Sequence, residues 1–267
     1  MKKLYLHDKM NDLFRTYMIV GGMPEVVKTY TETKSFYETL KIQRAIVDDY
    51  IKDMVKYADS TDAMKIRECF SSIPLQLAKD NQKFQYSVVK KGYNARYYNN
   101  SLRWLEDNGL IIKIHCLSNI QHPLKGQMEL PLFNVFMEDT GLFISQLEDG
   151  DVRKITVGEI GIYKGVLYEN IMSQILKYHD KDIYYFKPSQ TSEIDFIIEY
   201  RGEISPIEVK AEKNTTSISF KIFIQKYKSV YTFRFSQKNI GIDEERNIYY
   251  YPLYAIDFVL DNEGRVI

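Results

Sequence analysis

Two apolar runs in this sequence are each interrupted by charge at alternate positions. In "TSEIDFIIEYRGEISPIEVKAEK", residues 191–213, Glu193 and Asp195 flank Ile194, and Glu208 and Lys210 flank Val209. Residues two apart on a strand point to one face, so each charged pair is expected to project together. The short turn "YRGEISP" should make the runs an antiparallel hairpin, which brings the two charged faces side by side. Glu169 is the one acid inside the apolar helical stretch "IGIYKGVLYENIMSQILKYH", and it joins them if that helix packs across the same sheet. Carboxylates and a lysine converging at a sheet edge form a hard oxygen site suited to Mg²⁺ or Mn²⁺. Such an ion activates water and stabilises charge on a phosphodiester under attack, with the lysine orienting that water.

The simpler alternative is the wet face of a hairpin, because alternating Glu and Lys is common on half-buried strands. Two features favour a site. Ile194, Phe196, Ile197, Ile198, Ile207 and Val209 make the strands apolar on more than one face, so the acids are not freely solvated. The order of a helical acid, then E-x-D, then E-x-K on successive strands is also more demanding than any one piece.

The elements around these residues follow from periodicity. Residues 12–60 read as helical, with "NDLFRTYMIVGGMPEVVKTY" broken at Gly21-Gly22 and Pro24 suited to the first turn of the next helix. Helical units over "DAMKIRECFSSIPLQLAKDNQ" and "NARYYNNSLRWLEDNGLIIKIH" follow, the second ending at Asn108-Gly109. "LIIKIHCLS" and "LFNVFMEDTGLF" then offer a hairpin, and helices followed by a hairpin predict a winged helix-turn-helix. Past "SQLEDGDVRK" the order is helix, three strands, helix, strand, an α/β arrangement. The expected organisation is a helical segment over 1–58, a winged helix domain over 59–150 and an α/β domain with a central mixed sheet over 151–267.

Charge is balanced at 36 basic against 36 acidic residues, so no global field draws the molecule onto nucleic acid or membrane. A local patch exists. Residues 83–113 carry six cations, Lys83, Lys90, Lys91, Arg96, Arg103 and Lys113, against Glu106 and Asp107, a net charge of +4. That is a modest footprint for phosphate, with Lys90, Lys91, Arg96 and Arg103 as the expected DNA contacts. A winged helix serving only as a protein or interdomain spacer fits the same pattern. Cys69 and Cys116 lack ligand-like spacing, which argues against zinc and for a reduced, cytoplasmic setting. No apolar h-region opens the chain and no run reaches the length of a membrane span. His7, His115, His122 and His179 form no triad or ligand spacing, so a small-molecule enzyme has little support.

"YENIMSQIL", "SEIDFIIE" and "PIEVKAE" resemble the PD-(D/E)xK nuclease-like superfamily. More narrowly, nearly the whole chain resembles the C-terminal half of a prokaryotic AAA-type (archaeal-type) ATPase family. "YMIVGGMPEVV" looks like that family's lid-closing segment, and "YNNSLRWLEDNGLI" with "FMEDTGLF" like its winged helix. The resemblance implies Glu169 as the acid of the first helix, Asp195 as the metal-binding aspartate with Glu193 beside it, and Glu208 and Lys210 as the E-x-K pair. By family habit Gln225 on the next helix positions the water. The sequence has no G-x-x-x-x-G-K-[ST], so no P-loop ATPase activity is expected of it. A start inside a lid-like segment leads us to expect a piece of a longer ATPase, with the ATPase domain a partner in cis or in trans. The expected function is a DNA-binding module with a metal-dependent endonuclease-like domain. The alternative is a catalytically silent module binding DNA or protein.

Overall fold

A two-residue turn organises the charged hairpin. Arg201 and Gly202 both take positive φ, 54° and 78°, as a tight turn matched to strand twist requires. The computed structural model describes residues 2–56, 60–79, 83–189, 192–210 and 218–261.

The helices are α1 (Lys2–Val20), α2 (Pro24–Thr33), α3 (Phe36–Lys56), α4 (Ser60–Leu77), α5 (Tyr86–Val89), α6 (Ala95–Asp107), α7 (Thr140–Ser145), α8 (Asp149–Thr156), α9 (Lys164–Tyr178), α10 (Ile218–Tyr227) and α11 (Ile256–Asp261). The strands are β1 (Ile111–Leu117), β2 (Met128–Met137), β3 (Tyr184–Ser189), β4 (Ser192–Tyr200), β5 (Glu203–Val209), β6 (Thr232–Ser236), β7 (Gly241–Asp243) and β8 (Ile248–Pro252). The chain is therefore mixed α/β. Among the described residues no helix is long and apolar enough to cross a membrane.

Two compact units result, and neither is one continuous block of sequence. The first comprises Met1–Phe14, Ile114–Asn134 and Ile171–Ile267; the second comprises Arg15–Lys113 and Val135–Asn170. The first holds most of the sheet, whose strand order is β2-β1-β3-β4-β5-β6-β8-β7. β4 runs antiparallel to β3 and β5, while β5, β6 and β8 are parallel and β7 returns antiparallel. The strands expected as a wing do form, but β1 also pairs in parallel with β3 through His115↔Tyr184 and Leu117↔Phe186. They are the edge of a larger sheet. α10 sets Phe220, Phe223 and Ile224 into a core with Tyr184, Phe186, Ile194, Ile197 and Ile248.

The second unit is helical. Asn94 caps α6 by accepting the Arg96 N–H at 3.0 Å, and the helix stops at Gly109, whose φ of 65° favours glycine. Tyr98, Leu102 and Leu105 bury one side of α6, which packs on α4. A second junction joins two stretches far apart in sequence. Asp139 caps α7 through the Leu142 N–H at 2.8 Å and also accepts the Gly22 N–H at 2.7 Å. Buried Gln43 donates to the Ile19 and Val20 carbonyls at the end of α1, at 2.8 and 3.0 Å. Backbones close so tightly here that a Cβ on Gly141 would lie 2.7 Å from the Val20 carbonyl and 2.8 Å from the Gly21 nitrogen. Gly141→Ala must move main chain, and we expect it to lower unfolding free energy by about 1–3 kcal/mol in chemical denaturation, with Gly150→Ala, whose Cβ meets nothing, close to neutral.

Candidate functional site

The E-x-K pair lies at the end of β5, in the first unit. Parallel pairing sets Glu208 beside Arg234 of β6. Glu208 is 2% exposed, and both of its oxygens are taken. Oε1 lies 3.0 Å from the Lys210 ammonium. Oε2 accepts from Arg234 Nε at 2.7 Å and stands 2.6 Å from its Nη2. The Arg234 side chain is 13% exposed, with its guanidinium 5.1 Å from the Phe220 ring and 5.6 Å from that of Tyr250. Burying a carboxylate costs several kcal/mol unless it is paired, and this one is paired twice.

Asp195 is half-buried on the neighbouring strand. Its Oδ2 accepts the Val209 N–H at 2.7 Å, which ties β4 to the residue between Glu208 and Lys210. Burial pushes its carboxyl up from 3.8 to about 7. Lys210 opposes that rise, Glu208 adds to it, the Val209 bond opposes it, and Glu193 adds the least.

Glu193 is turned elsewhere. Its Oε2 accepts from Lys187 of β3 at 2.7 Å. The cause is a pair of irregularities in β3–β4. Between Tyr184↔Ile197 and Phe186↔Ile194, β4 advances three residues for two on β3, and the excess reverses before Ser189↔Ser192. Simple alternation is lost there, and Ile194 and Ile197 enter the same core. Glu169 is half-buried on α9, in the segment belonging to the second unit. Gln225 is exposed on α10.

A hard divalent cation needs several oxygens free to converge on it. Glu208 presents both of its oxygens to cations, Glu193 is given to Lys187, and one Asp195 oxygen is spent on the Val209 N–H. Among the described residues no group of three or more His, Cys, Asp and Glu is placed to hold a metal ion. The side chains as placed do not fit a metal centre. Arg234 is the residue that strand alternation did not reveal, although a lone arginine inside the apolar strand "YTFRFS" asks for a buried acid.

The basic residues lie in the second unit. Lys91, Arg96 and Arg103 are exposed. Lys90 stands 3.6 Å from Glu68 and 4.9 Å over the Tyr93 ring, and Arg103 stands 3.6 Å from Asp107. Asn99, Asn100 and the half-exposed ring of Tyr97 share the open surface of α6 with Arg96 and Arg103.

A family model described as a domain of unknown function (DUF8612) matches residues 11–152, more than half of the chain. The chain belongs to the DUF8612 family. A second model, also described as a domain of unknown function (DUF4143), matches residues 164–256 and so contains Glu169, Asp195, Glu208, Lys210 and Arg234. The DUF8612 match contains α6 and its basic residues. No curated protein and no solved structure matches the chain.

Because the folded chain holds the Asp195 proton up to about pH 7, while an unfolded aspartate loses it near 3.8, the folded state binds more protons in that window. Stability from this group is full below the lower value and is lost as pH rises to the upper one. Asp195→Asn keeps an acceptor for the Val209 N–H and removes the titration. Its unfolding free energy should fall less than wild type between about pH 4 and pH 7 in parallel denaturation series.

Proposed function

We propose that this chain is a DNA-binding module of an AAA-type ATPase, with the helical unit around α6 carrying the contact and a PD-(D/E)xK-like domain that is catalytically silent. The observation that carries the reading is the open surface of α6. Arg96 and Arg103 supply phosphate contacts, and Asn99 and Asn100 present amides of the kind that pair with adenine in a major groove. Lys90 and Lys91 extend the same positive charge just before the helix. Silence of the second domain is supported by the double engagement of Glu208, which leaves it no oxygen free for a metal. The ATPase partner, in cis or in trans, rests on the sequence resemblance alone.

A metal-dependent endonuclease is the second reading, and one observation favours it. Asp195, Glu208 and Lys210 remain adjacent at the strand ends, with Asp195 held near neutrality in its protonation. It would use Mg²⁺ or Mn²⁺ and would require Glu208 to be released from its two cations.

Fluorescence anisotropy on a short duplex tests the first reading. Arg96→Ala with Arg103→Ala should weaken binding and reduce the slope of log K against log salt by about 2. Unchanged affinity and slope would remove α6 as the DNA contact. Supercoiled DNA incubated with Mg²⁺ or Mn²⁺ should stay intact; cutting that disappears in both Asp195→Ala and Lys210→Ala would establish the nuclease instead.

A further inference from the structure

We propose that Arg234 is a built-in counter-ion standing in the place of a divalent metal, and that it closes this site to Mg²⁺ and Mn²⁺. The inference deepens the silent reading above and rests on it. The position of Arg234 is set by the sheet, since Glu208↔Arg234 is a register pair between parallel strands. A guanidinium remains protonated at any pH the chain survives, so its charge is permanent. Both Nε and Nη2 approach the same oxygen, Oε2, at 2.7 and 2.6 Å. Phe220 of α10 lies 5.1 Å from the guanidinium and Tyr250 of β8 lies 5.6 Å from it, so aromatic faces hold it where it is. A metal on Oε2 would need the volume these donors fill, beside an ammonium already at Oε1.

Charge accounting points the same way. Glu208 alone faces both Lys210 and Arg234, one carboxylate against two bases, and a further dication meets repulsion from both bases. Without the Arg234 charge Glu208 faces Lys210 alone, and Oε2 becomes an oxygen of the kind a hard cation prefers.

Mn²⁺ binding to the full chain, followed by the loss of the free-ion electron paramagnetic resonance signal, tests this. Wild type and Arg234→Lys should show no saturable site up to about millimolar Mn²⁺, while Arg234→Met should bind one ion at least about tenfold tighter. Adding Glu208→Gln to Arg234→Met should abolish that site. A saturable Mn²⁺ site in wild type that disappears in Glu208→Gln overturns the inference, as does a folded Arg234→Met that gains no site. If Arg234→Met does not fold, the double variant with Glu208→Gln decides: recovered folding by circular dichroism supports the counter-ion role, and continued failure overturns it. The outcomes separate this inference from the reading beneath it. Mn²⁺ binding by wild type without DNA cutting overturns only the stand-in role of Arg234, whereas binding with cutting overturns both.

Discussion

The charge arrangement at the end of β5 is built on the ion pair between Glu208 and Arg234. A carboxylate 2% exposed must meet charge or hydrogen bonds inside the protein, because water no longer supplies them. Parallel pairing of β5 and β6 supplies the arginine at the required strand position, and α10 closes over it with Phe220. Lys210, one residue past the end of β5, pairs with the other Glu208 oxygen. Removing either partner of such a pair is far more damaging than replacing both, since it leaves one charge buried without compensation.

The same pairing decides what chemistry the strand ends support. Carboxylates are the residue type a hard metal ion recruits, yet three oxygens that a cation would use are committed to Lys187, Lys210 and Arg234. Asp195 is the exception. Half-buried and raised towards neutrality, it keeps one oxygen on the Val209 N–H and contributes to the cluster as an acid whose charge depends on pH. Having the residue types that could hold a metal ion and having their oxygens free to do so are separate properties, and among the placed side chains only the residue types are present.

In the helical unit the corresponding constraint is close backbone approach. Asp139 accepts N–H groups from Gly22 and Leu142, so the "GGMP" turn and the start of α7 are held by one carboxylate. Burial raises its pKa, and the backbone donors oppose the rise. That explains, within one unit, why two of the segments that carry the family resemblance contain glycines: Gly21 has φ of 76°, and Gly141 has no room for a Cβ. The other side of α6 stays exposed, because its buried side is spent on α4.

The sequence by itself determined the α/β class, the order of elements from α9 to β6, the β4–β5 hairpin and the end of α6 at Gly109. All of these depend on local signals: periodicity, positive-φ turn residues and caps. It also singled out Asp195, Glu208 and Lys210, because charge inside apolar strands is conspicuous in any register. Tertiary structure alone decided the remainder. The irregular β3–β4 pairing gave Glu193 to Lys187, since a bulge leaves no mark on the hydrophobic pattern. Parallel pairing between β5 and β6, strands separated by α10, brought Arg234 to Glu208, and no spacing rule connects residues 26 apart across a crossover. The strands read as a wing became a sheet edge through the β1–β3 pairing, a contact between segments about seventy residues apart that only the folded chain can make.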